Sequence, residues 1–230
     1  MSAGPKGKDA TLLEALGLYD SPTLSNAIET FDVRNRDEGY TNHEIRCMFP
    51  DLPPVVGYAA TITVRSHEPP LHPLEPAQLW KHVQSIPSPR ILVAEDLDEP
   101  KGIGAMWGEV QGTIFKALGC LAIVTDGVVR DLSEVRAMGL HYFARGATVS
   151  HAYAHFESAG ISVSVGGLAV RPGDLIHADQ HGVLLIPSEI ADRLPAAADE
   201  IIAKERRLIS WIRSADFDPG RLEEMRRVDH

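Results

Sequence analysis

The stretch Trp107-Gly108-Glu109-Val110-Gln111, followed by Thr125-Asp126-Gly127-Val128-Val129-Arg130-Asp131, decides how this chain folds. Twenty residues separate Glu109 from the pair Arg130-Asp131, which is the length of one helix, a turn and one buried strand. Both segments are therefore expected to end near the same edge of a parallel sheet, where open α/β folds bind ligands. The carboxylates and the guanidinium brought together there predict a site for a divalent metal and an anionic substrate.

The patterns on either side of this stretch predict an α/β fold. Helical patterns alternate with apolar strand patterns up to residue 144, and short strands with glycine-containing turns between them then predict hairpins. This order indicates a layered α/β domain with mixed strand directions and a final helix. We predict helices at 11–18, 76–83, 104–118, 132–138 and 188–212, and strands at 55–64, 90–94, 120–125, 142–144, 161–165, 168–170, 174–178 and 183–186.

The length and composition suit one globular domain. With 230 residues and 44% hydrophobic residues, the chain can bury a sizeable core. We predict a disordered lead-in at residues 1–10, a single domain at 11–212 and a polar C-terminal tail at 213–230.

Charge and cysteine usage exclude several classes of function. The formal net charge of −10 argues against a nucleic-acid surface, which needs clustered lysine and arginine. Cys47 and Cys120 belong to no CxxC motif, so we expect reduced thiols and neither a zinc site nor a disulfide. The chain has no signal-peptide pattern and no apolar run that could span a bilayer. We therefore expect a cytoplasmic protein that does not bind a membrane.

Several passages resemble a known family. They are Trp107-Gly108-Glu109, Asp126-Gly127-Val128-Val129-Arg130-Asp131, Phe143-Ala144-Arg145-Gly146, and the stretch from Gly166-Gly167 through residues 170–174 to residues 178–183. The whole span of residues 21–187 is similar to the RraA-like family. That family includes 4-hydroxy-4-methyl-2-oxoglutarate aldolases and regulators of ribonuclease activity, and some members were once misnamed demethylmenaquinone methyltransferases.

The resemblance implies both a fold and an assembly. The expected fold is a three-layer, swivelling β/β/α-type domain with a mixed sheet and a C-terminal helix. The expected assembly is a homotrimer or homohexamer with active sites between subunits.

The resemblance also implies roles for individual residues. Asp131 corresponds to the ligand of a divalent cation, Mg²⁺ or Mn²⁺, and Arg130 to the residue that contacts a 2-oxo acid. The loop Gly108-Glu109-Val110-Gln111 would offer backbone N–H groups to the substrate carboxylate. Glu109 would orient the water that acts as base.

These roles are chemically consistent with carbon–carbon bond cleavage. A 2-oxo acid presents a carboxylate and a keto oxygen that can chelate a hard cation. Retro-aldol cleavage of a 4-hydroxy-2-oxo acid and decarboxylation of oxaloacetate both pass through a pyruvate enolate, whose charge a cation and an arginine stabilise. The resemblance therefore predicts a metal-dependent aldolase or decarboxylase, a carbon–carbon lyase acting on a small 2-oxo acid.

Two positions depart from the aldolase pattern. Glu109 stands where the aldolases carry Asp, and its extra methylene changes the reach of the carboxylate. Asn26 stands where aldolases often carry an acidic residue for the neighbouring subunit's site, and Glu29 or Glu205 could replace it.

Other interpretations remain open for the function and for several residues. The chain could be a non-catalytic regulator that binds another protein; a methyltransferase is disfavoured, because no G-x-G-x-G loop follows an early strand. His151 and His155 have the spacing of metal ligands on a helix, but a structural role is favoured. Asp126 is expected to form a turn, Trp107 to pack in the core, and residues 171–174 to belong to hairpin structure.

Overall fold

A mixed sheet of eight strands lies at the centre of the fold. The computed structural model describes the backbone of residues 7–228 and the side chains of residues 10–226. The strands are β1 (Arg46–Cys47), β2 (Val55–Arg65), β3 (Arg90–Asp96), β4 (Cys120–Thr125), β5 (Val128–Val129), β6 (His141–Ala144), β7 (Gly146–Ala147), β8 (His155–Ala159), β9 (Val163–Val165), β10 (Leu168–Val170), β11 (Leu175–Asp179) and β12 (Gly182–Ile186). The helices are α1 (Gly7–Leu16), α2 (Ser21–Glu29), α3 (Pro76–Ser85), α4 (Glu109–Ala117), α5 (Leu132–Ala137), α6 (Leu194–Ile212) and α7 (Leu222–Val228), with a 3₁₀ turn at Pro219–Arg221.

The sheet has the order β1-β6-β4-β3-β2-β11-β12, and β8 also pairs with β2. Strands β2, β3, β4 and β6 are parallel, whereas β1, β8, β11 and β12 pair antiparallel with their neighbours. In β3 the consecutive residues 91–94 are all buried, as expected for a parallel strand covered on both faces. The carboxyl ends of β3 and β4 therefore lie side by side.

The core confirms the predicted three layers. On one face of the sheet, Leu79 of α3, Phe115 of α4 and Val135 of α5 pack over the strands. On the other face, the β9–β10 hairpin contributes four buried side chains against residues of β3. A third cluster joins α1, α2 and α6 to β11 and β12, so the predicted C-terminal helix is confirmed.

The predicted helix at 104–118 begins five residues later, at Glu109. Residues 104 and 105 give their backbone N–H groups to partners outside any helix, the Ser66 hydroxyl and the Ser150 carbonyl. Gly108 is fully extended, with φ −135° and ψ −164°. Glu109 is consequently in the first turn of α4 rather than in a helix interior.

Four further regions of the structure bear on the patterns in the sequence. His151 and His155 share no helical face, because His155 begins β8 and His151 precedes that strand. Residues 171–174 form the turn that connects the β9–β10 hairpin to the β11–β12 hairpin. The predicted polar tail contains α7, and α1 begins at Gly7, within the predicted lead-in, of which residues 1–6 lie outside the described residues.

Cys120 is buried at the start of β4, and both cysteines are free thiols, as predicted. Of the described helices, none combines the length and the apolar character needed to cross a membrane.

A buried histidine attaches the start of α2 to β11. Nε2 of His177 lies 3.0 Å from the carbonyl oxygen of Tyr19, so this nitrogen carries the proton. Nδ1 therefore accepts the hydroxyl hydrogen of Ser21 at 2.9 Å. Burial lowers the pKa of His177, although the nearby charge of Asp179 opposes this shift.

This cluster predicts acid sensitivity of the fold. The pKa of His177 in the folded protein lies below its ordinary value. As pH falls below about 6.5, the unfolded chain therefore binds a proton at this residue more readily than the folded protein does, and the free energy of unfolding decreases. The free energy of unfolding can be measured in urea at pH 7.5 and at pH 5.5. Between these two values we expect His177→Gln to lose about 1 kcal/mol less of this free energy than the wild type loses. Equal losses in the two proteins would contradict this assignment.

Candidate active site

Two segments far apart in sequence are joined through their backbones at the carboxyl edge of the parallel strands. Trp107 forms a parallel bridge with Val129, and the N–H of Arg130 donates to the carbonyl oxygen of Trp107 at 2.8 Å. Strand β5 is also paired with β7. The structure thus brings Glu109 close to Arg130 and Asp131, as the spacing predicts; we call this junction of residues 107–109 and 129–131 the clasp.

Asp131 has an unusual backbone conformation in the clasp. It caps α5 in the left-handed region, with φ 54° and ψ 45°, which aspartate tolerates better than most residues. Its Oδ2 accepts the N–H of Glu109 at 2.9 Å and lies 3.6 Å from Nε of Arg130. Among the described residues, no hydrogen bond is made to the other carboxylate oxygen, Oδ1. The side chains of Arg130 and Asp131 are 35% and 36% exposed, so both can reach a ligand.

The carboxylate of Asp131 occupies the space beside Gly108 in which a side chain would lie. A Cβ atom at this position would be 2.4 Å from Oδ2 of Asp131 and 3.1 Å from Nε of Arg130. The extended backbone of Gly108 is open to any residue, so the constraint is purely steric.

The N-terminus of α4 adds backbone donors. Glu109, Val110 and Gln111 form its first turn, where backbone N–H groups have no acceptor within the helix. The N–H of Glu109 is taken by Asp131, which leaves those of Val110 and Gln111. Because the side chains of Glu109 and Val110 are exposed, a carboxylate can approach this turn from solvent.

Tyr142 lies buried beneath the clasp and donates its hydroxyl hydrogen to the carbonyl oxygen of Gly108 at 3.1 Å. Burial, together with the negative charge of Asp131, raises the pKa of this phenol well above its ordinary value. Tyr142 is therefore a neutral donor throughout the physiological pH range.

A second buried network holds the ends of β3 and β4. Oδ1 of Asp126 accepts the N–H of Asp96 at 2.8 Å, and Oδ2 pairs with Nζ of Lys101 at 2.9 Å. Burial raises the pKa of Asp96, whose carboxylate accepts the N–H groups of Asp98 and Gly102. Asp126 therefore has the structural role that the sequence favoured, and it anchors the loop that leads to Arg130.

The sequence patterns did not point to Tyr142 or Lys101 as supports of the site. The strand pattern predicts only that Tyr142 is buried. Because a buried tyrosine hydroxyl usually needs a hydrogen-bond partner, its burial indicated that such a partner had to be present. Nothing local marks Lys101, because its partner Asp126 is 25 residues away.

Two other groups of predicted residues lie apart from the clasp. His155 binds Glu157 and the carbonyl of Tyr153 and lines a cavity of about 610 Å³ whose lining includes none of the clasp residues. Asn26, Glu29 and Glu205 line a separate groove of about 410 Å³ between α2 and α6.

Trp107 packs against Phe115 and Phe156, with ring centroids 5.6 and 6.2 Å away, which confirms its core role.

The donor set of the clasp fits a hard cation that keeps most of its water. The described residues contain no group of three or more His, Cys, Asp or Glu side chains arranged to hold a metal, so a protein cage is not available. Asp131 offers one carboxylate whose Oδ1 accepts no hydrogen bond from the residues that the structure describes. Mg²⁺ is commonly bound by one or two carboxylates with waters completing the octahedron, and Mn²⁺ accepts the same oxygen ligands.

The fold and the clasp together define a three-layer α/β protein with an arginine–aspartate site at the edge of its parallel strands. A sequence model described as RraA-like: Aldolase/RraA matches residues 17–185. This match covers more than half of the chain, and the protein therefore belongs to the RraA-like family.

Curated relatives match part of the chain. An uncharacterized protein of Methanocaldococcus jannaschii is 30% identical over 52% of this chain and 58% of its own length. A protein of Halalkalibacterium halodurans, named as a candidate 4-hydroxy-4-methyl-2-oxoglutarate aldolase, is 31% identical over 58% of this chain and 60% of its own length. The chain thus spans about three fifths of each of these two relatives.

Solved structures share the fold over most of the chain. An uncharacterized protein from Pseudomonas syringae has a TM-score of 0.73 at 22% identity, covering 99% of this chain and 97% of its own. Streptomyces coelicolor RraAS2, described as an unusual member of the RNase ES inhibitor RraA family, has a TM-score of 0.67 at 23% identity, covering 89% and 96%. At these identities the likeness is one of fold.

The close contact between Gly108 and Asp131 predicts that a methyl group added at position 108 weakens metal binding. In Gly108→Ala the new Cβ displaces the carboxylate of Asp131, and we expect binding of Mn²⁺, measured by isothermal titration calorimetry, to weaken by about 10-fold or more. Gly146→Ala is the matched control, because a Cβ there meets nothing within 4 Å. Equal affinities in the two variants would show that Asp131 does not hold the cation.

Proposed function

We propose that this chain is a divalent-metal-dependent lyase that cleaves a carbon–carbon bond of a small 2-oxo acid. The reaction is retro-aldol cleavage of a 4-hydroxy-2-oxo acid, decarboxylation of oxaloacetate, or both. The observation that carries the proposal is the clasp, which places an arginine, a carboxylate and the first-turn N–H groups of α4 on one exposed edge. The aldolase name of the Halalkalibacterium halodurans relative supports this reaction class.

The substrate carboxylate is bound by the N-terminus of α4. The N–H groups of Val110 and Gln111 and the positive end of the helix dipole favour an anion at this position. The guanidinium of Arg130, 3.6 Å from Asp131 through Nε, has further N–H groups for the 2-oxo acid. These contacts fix the orientation of the substrate against the clasp.

Arg130 and Asp131 then stabilise the enolate that carbon–carbon cleavage generates. Asp131 would hold Mg²⁺ or Mn²⁺, which when bound supplies Lewis-acid stabilisation of the developing negative charge. Arg130 donates hydrogen bonds to the same oxygen as its charge grows. The N–H of Glu109 already holds the carboxylate of Asp131, and Gly108 leaves room for it. Little reorganisation of Asp131 is therefore needed during the reaction.

Glu109 has two separate roles in this scheme. Its backbone N–H holds Asp131, whereas its carboxylate is exposed beside the site. That carboxylate, acting through a water, takes the proton of the C4 hydroxyl in the retro-aldol direction. Oxaloacetate decarboxylation needs no such base, so the two reactions depend on Glu109 differently.

The exposure of the clasp supports an assembly in which another copy covers it. Val110 is 72% exposed, and Val149 is 93% exposed one residue beyond Thr148, whose N–H donates to Val129. Covering these side chains would exclude water and strengthen the electrostatic contacts of the site. We propose a homotrimer or homohexamer with the site between subunits.

The decisive experiment is pyruvate release by the EDTA-treated protein with and without Mg²⁺ or Mn²⁺. Oxaloacetate and 4-hydroxy-4-methyl-2-oxoglutarate are the two substrates. We expect pyruvate only when metal is added. Release of no pyruvate from either substrate by a folded, metal-loaded protein would refute the lyase proposal and favour the protein-binding regulator, which a pull-down would then test.

Asp131→Asn tests the metal ligand without disturbing the backbone. Asparagine tolerates the left-handed conformation and can still accept the N–H of Glu109, but it lacks the negative charge. We expect metal-dependent pyruvate release to fall by at least 100-fold with an unchanged melting temperature. The control is Glu134→Gln, which removes another carboxylate from the first turn of α5 and should keep wild-type activity.

Glu109→Gln separates the two reactions. Loss of the carboxylate should lower kcat for the 4-hydroxy-2-oxo acid by about 100-fold, in the range of general base catalysis. The kcat for oxaloacetate should change by less than about 3-fold, because the base is not required. Steady-state pyruvate assays measure both, and equal losses on the two substrates would rule out Glu109 as the base.

A further inference from the structure

One peptide group connects the buried interior of the protein to the carboxylate of the clasp. The carbonyl oxygen of Gly108 and the N–H of Glu109 belong to the same planar peptide unit. The oxygen accepts the hydroxyl of Tyr142 at 3.1 Å and the N–H of Gly112 at 2.8 Å. The N–H donates to Oδ2 of Asp131 at 2.9 Å.

We propose that Tyr142 is a positioning residue for Asp131, acting through the Gly108–Glu109 peptide group. Its consequence for metal binding rests on the proposed function of the clasp. Tyr142 cannot itself be a catalytic residue, because its side chain is fully buried and has no path to a substrate.

The peptide group transmits the effect of Tyr142 by orientation. Because the unit is planar, a hydrogen bond that fixes the C=O direction also fixes the N–H direction. Tyr142 and Gly112 hold the oxygen from two sides, so the N–H stays aimed at Oδ2 of Asp131. Asp131 is thereby kept in one orientation, in which Oδ1 accepts no hydrogen bond from the described residues.

The same chain of hydrogen bonds also transmits the effect by polarisation. Donation from the phenol makes the carbonyl a stronger acceptor and the attached N–H a stronger donor. The bond from this N–H to Asp131 is charge-assisted, and such bonds are shorter and stronger than those between neutral groups. Tyr142 therefore strengthens the contact that orients the metal ligand.

The surroundings of the phenol are shaped for this contact. A Cβ on Gly112 would lie 3.2 Å from the phenol oxygen, so a glycine in α4 lets the hydroxyl come close. The ring of Tyr142 stacks on Phe49, with centroids 6.0 Å apart. This packing holds the hydroxyl under Gly108 and would be retained by phenylalanine.

Tyr142→Phe tests the proposal, with Tyr19→Phe as the matched control. The hydroxyl of Tyr19 also contacts α6, where it lies 2.9 Å from Oδ1 of Asp199 and 3.1 Å from the carbonyl oxygen of Pro195, outside the clasp. Gly108 keeps the N–H of Gly112, so the variant leaves no buried acceptor unpaired. We expect Tyr142→Phe to raise the Kd for Mn²⁺ by about 3- to 10-fold in isothermal titration calorimetry. Tyr19→Phe should leave this Kd unchanged.

Kinetics provide a second measurement. The kcat/KM for metal-dependent pyruvate release should fall by about the same factor as the Mn²⁺ affinity when metal is limiting, and excess Mn²⁺ should restore most of it. A purely structural role would lower the melting temperature of Tyr142→Phe without changing the Kd for Mn²⁺.

The outcomes separate this proposal from the proposed function. An unchanged Kd for Mn²⁺ in Tyr142→Phe, with Asp131→Asn failing to bind, overturns the role of Tyr142 and leaves the metal site intact. A wild-type protein that binds Mn²⁺ through Asp131 but releases no pyruvate overturns the lyase proposal alone. A wild-type protein that binds no Mn²⁺ overturns both.

Discussion

The backbone contact between residues 107–109 and 129–131 is the interaction on which the functional edge of this protein depends. It ends the extended segment before α4, begins α5, and brings two parts of the sheet edge to one position. In this contact a Cβ at Gly108 would lie 2.4 Å from Oδ2 of Asp131, and Asp131 has a left-handed backbone. Such strained or sterically demanding positions persist where the surrounding structure determines them, and they concentrate at functional sites.

The clasp also lies at the boundary between the buried core and the solvent-exposed surface. On its inner side, the side chains of Trp107 and of the neighbouring Tyr142 are buried among aromatic and aliphatic side chains. On its outer side, the side chains of Arg130 and Asp131 are about one third exposed. The peptide groups between them let a buried hydroxyl influence an exposed carboxylate without either leaving its own environment. This arrangement reconciles a rigid support with access for a small, charged ligand.

The negative net charge does not prevent binding of an anionic substrate. The formal charge of −10 is spread over the whole chain, whereas the contacts proposed for a 2-oxo acid are local. One guanidinium, the first turn of α4 and a cation at Asp131 would act within a few ångströms, where they outweigh distant charges screened by water and salt. The family assignment and the local chemistry therefore agree despite the overall acidity.

Short-range patterns in the sequence were sufficient to predict most of the regular elements. Strand β4 has the predicted bounds, because a buried apolar run ending at Asp126-Gly127 has few alternatives. The helix predicted from residue 104 failed at its start, since the N–H groups of residues 104 and 105 bond to distant parts of the chain. The same reason explains the missed strands β5 and β7, which are too short to show a periodic pattern and exist only by pairing with each other.

The three layers of the fold were implied by the resemblance to the RraA-like family. By itself the sequence determined a layered α/β fold with mixed strand directions and the convergence of Glu109 with Arg130 and Asp131. Both follow from hydrophobic periodicity and from the length of a helix, a turn and a strand, which are local properties of the chain. Only the tertiary structure decided that Glu109 holds Asp131 through its backbone N–H, that Gly108 must lack a side chain, and that Tyr142 supports their shared peptide group. These contacts join residues up to 34 positions apart, and their distances depend on how the layers pack, which no local pattern encodes.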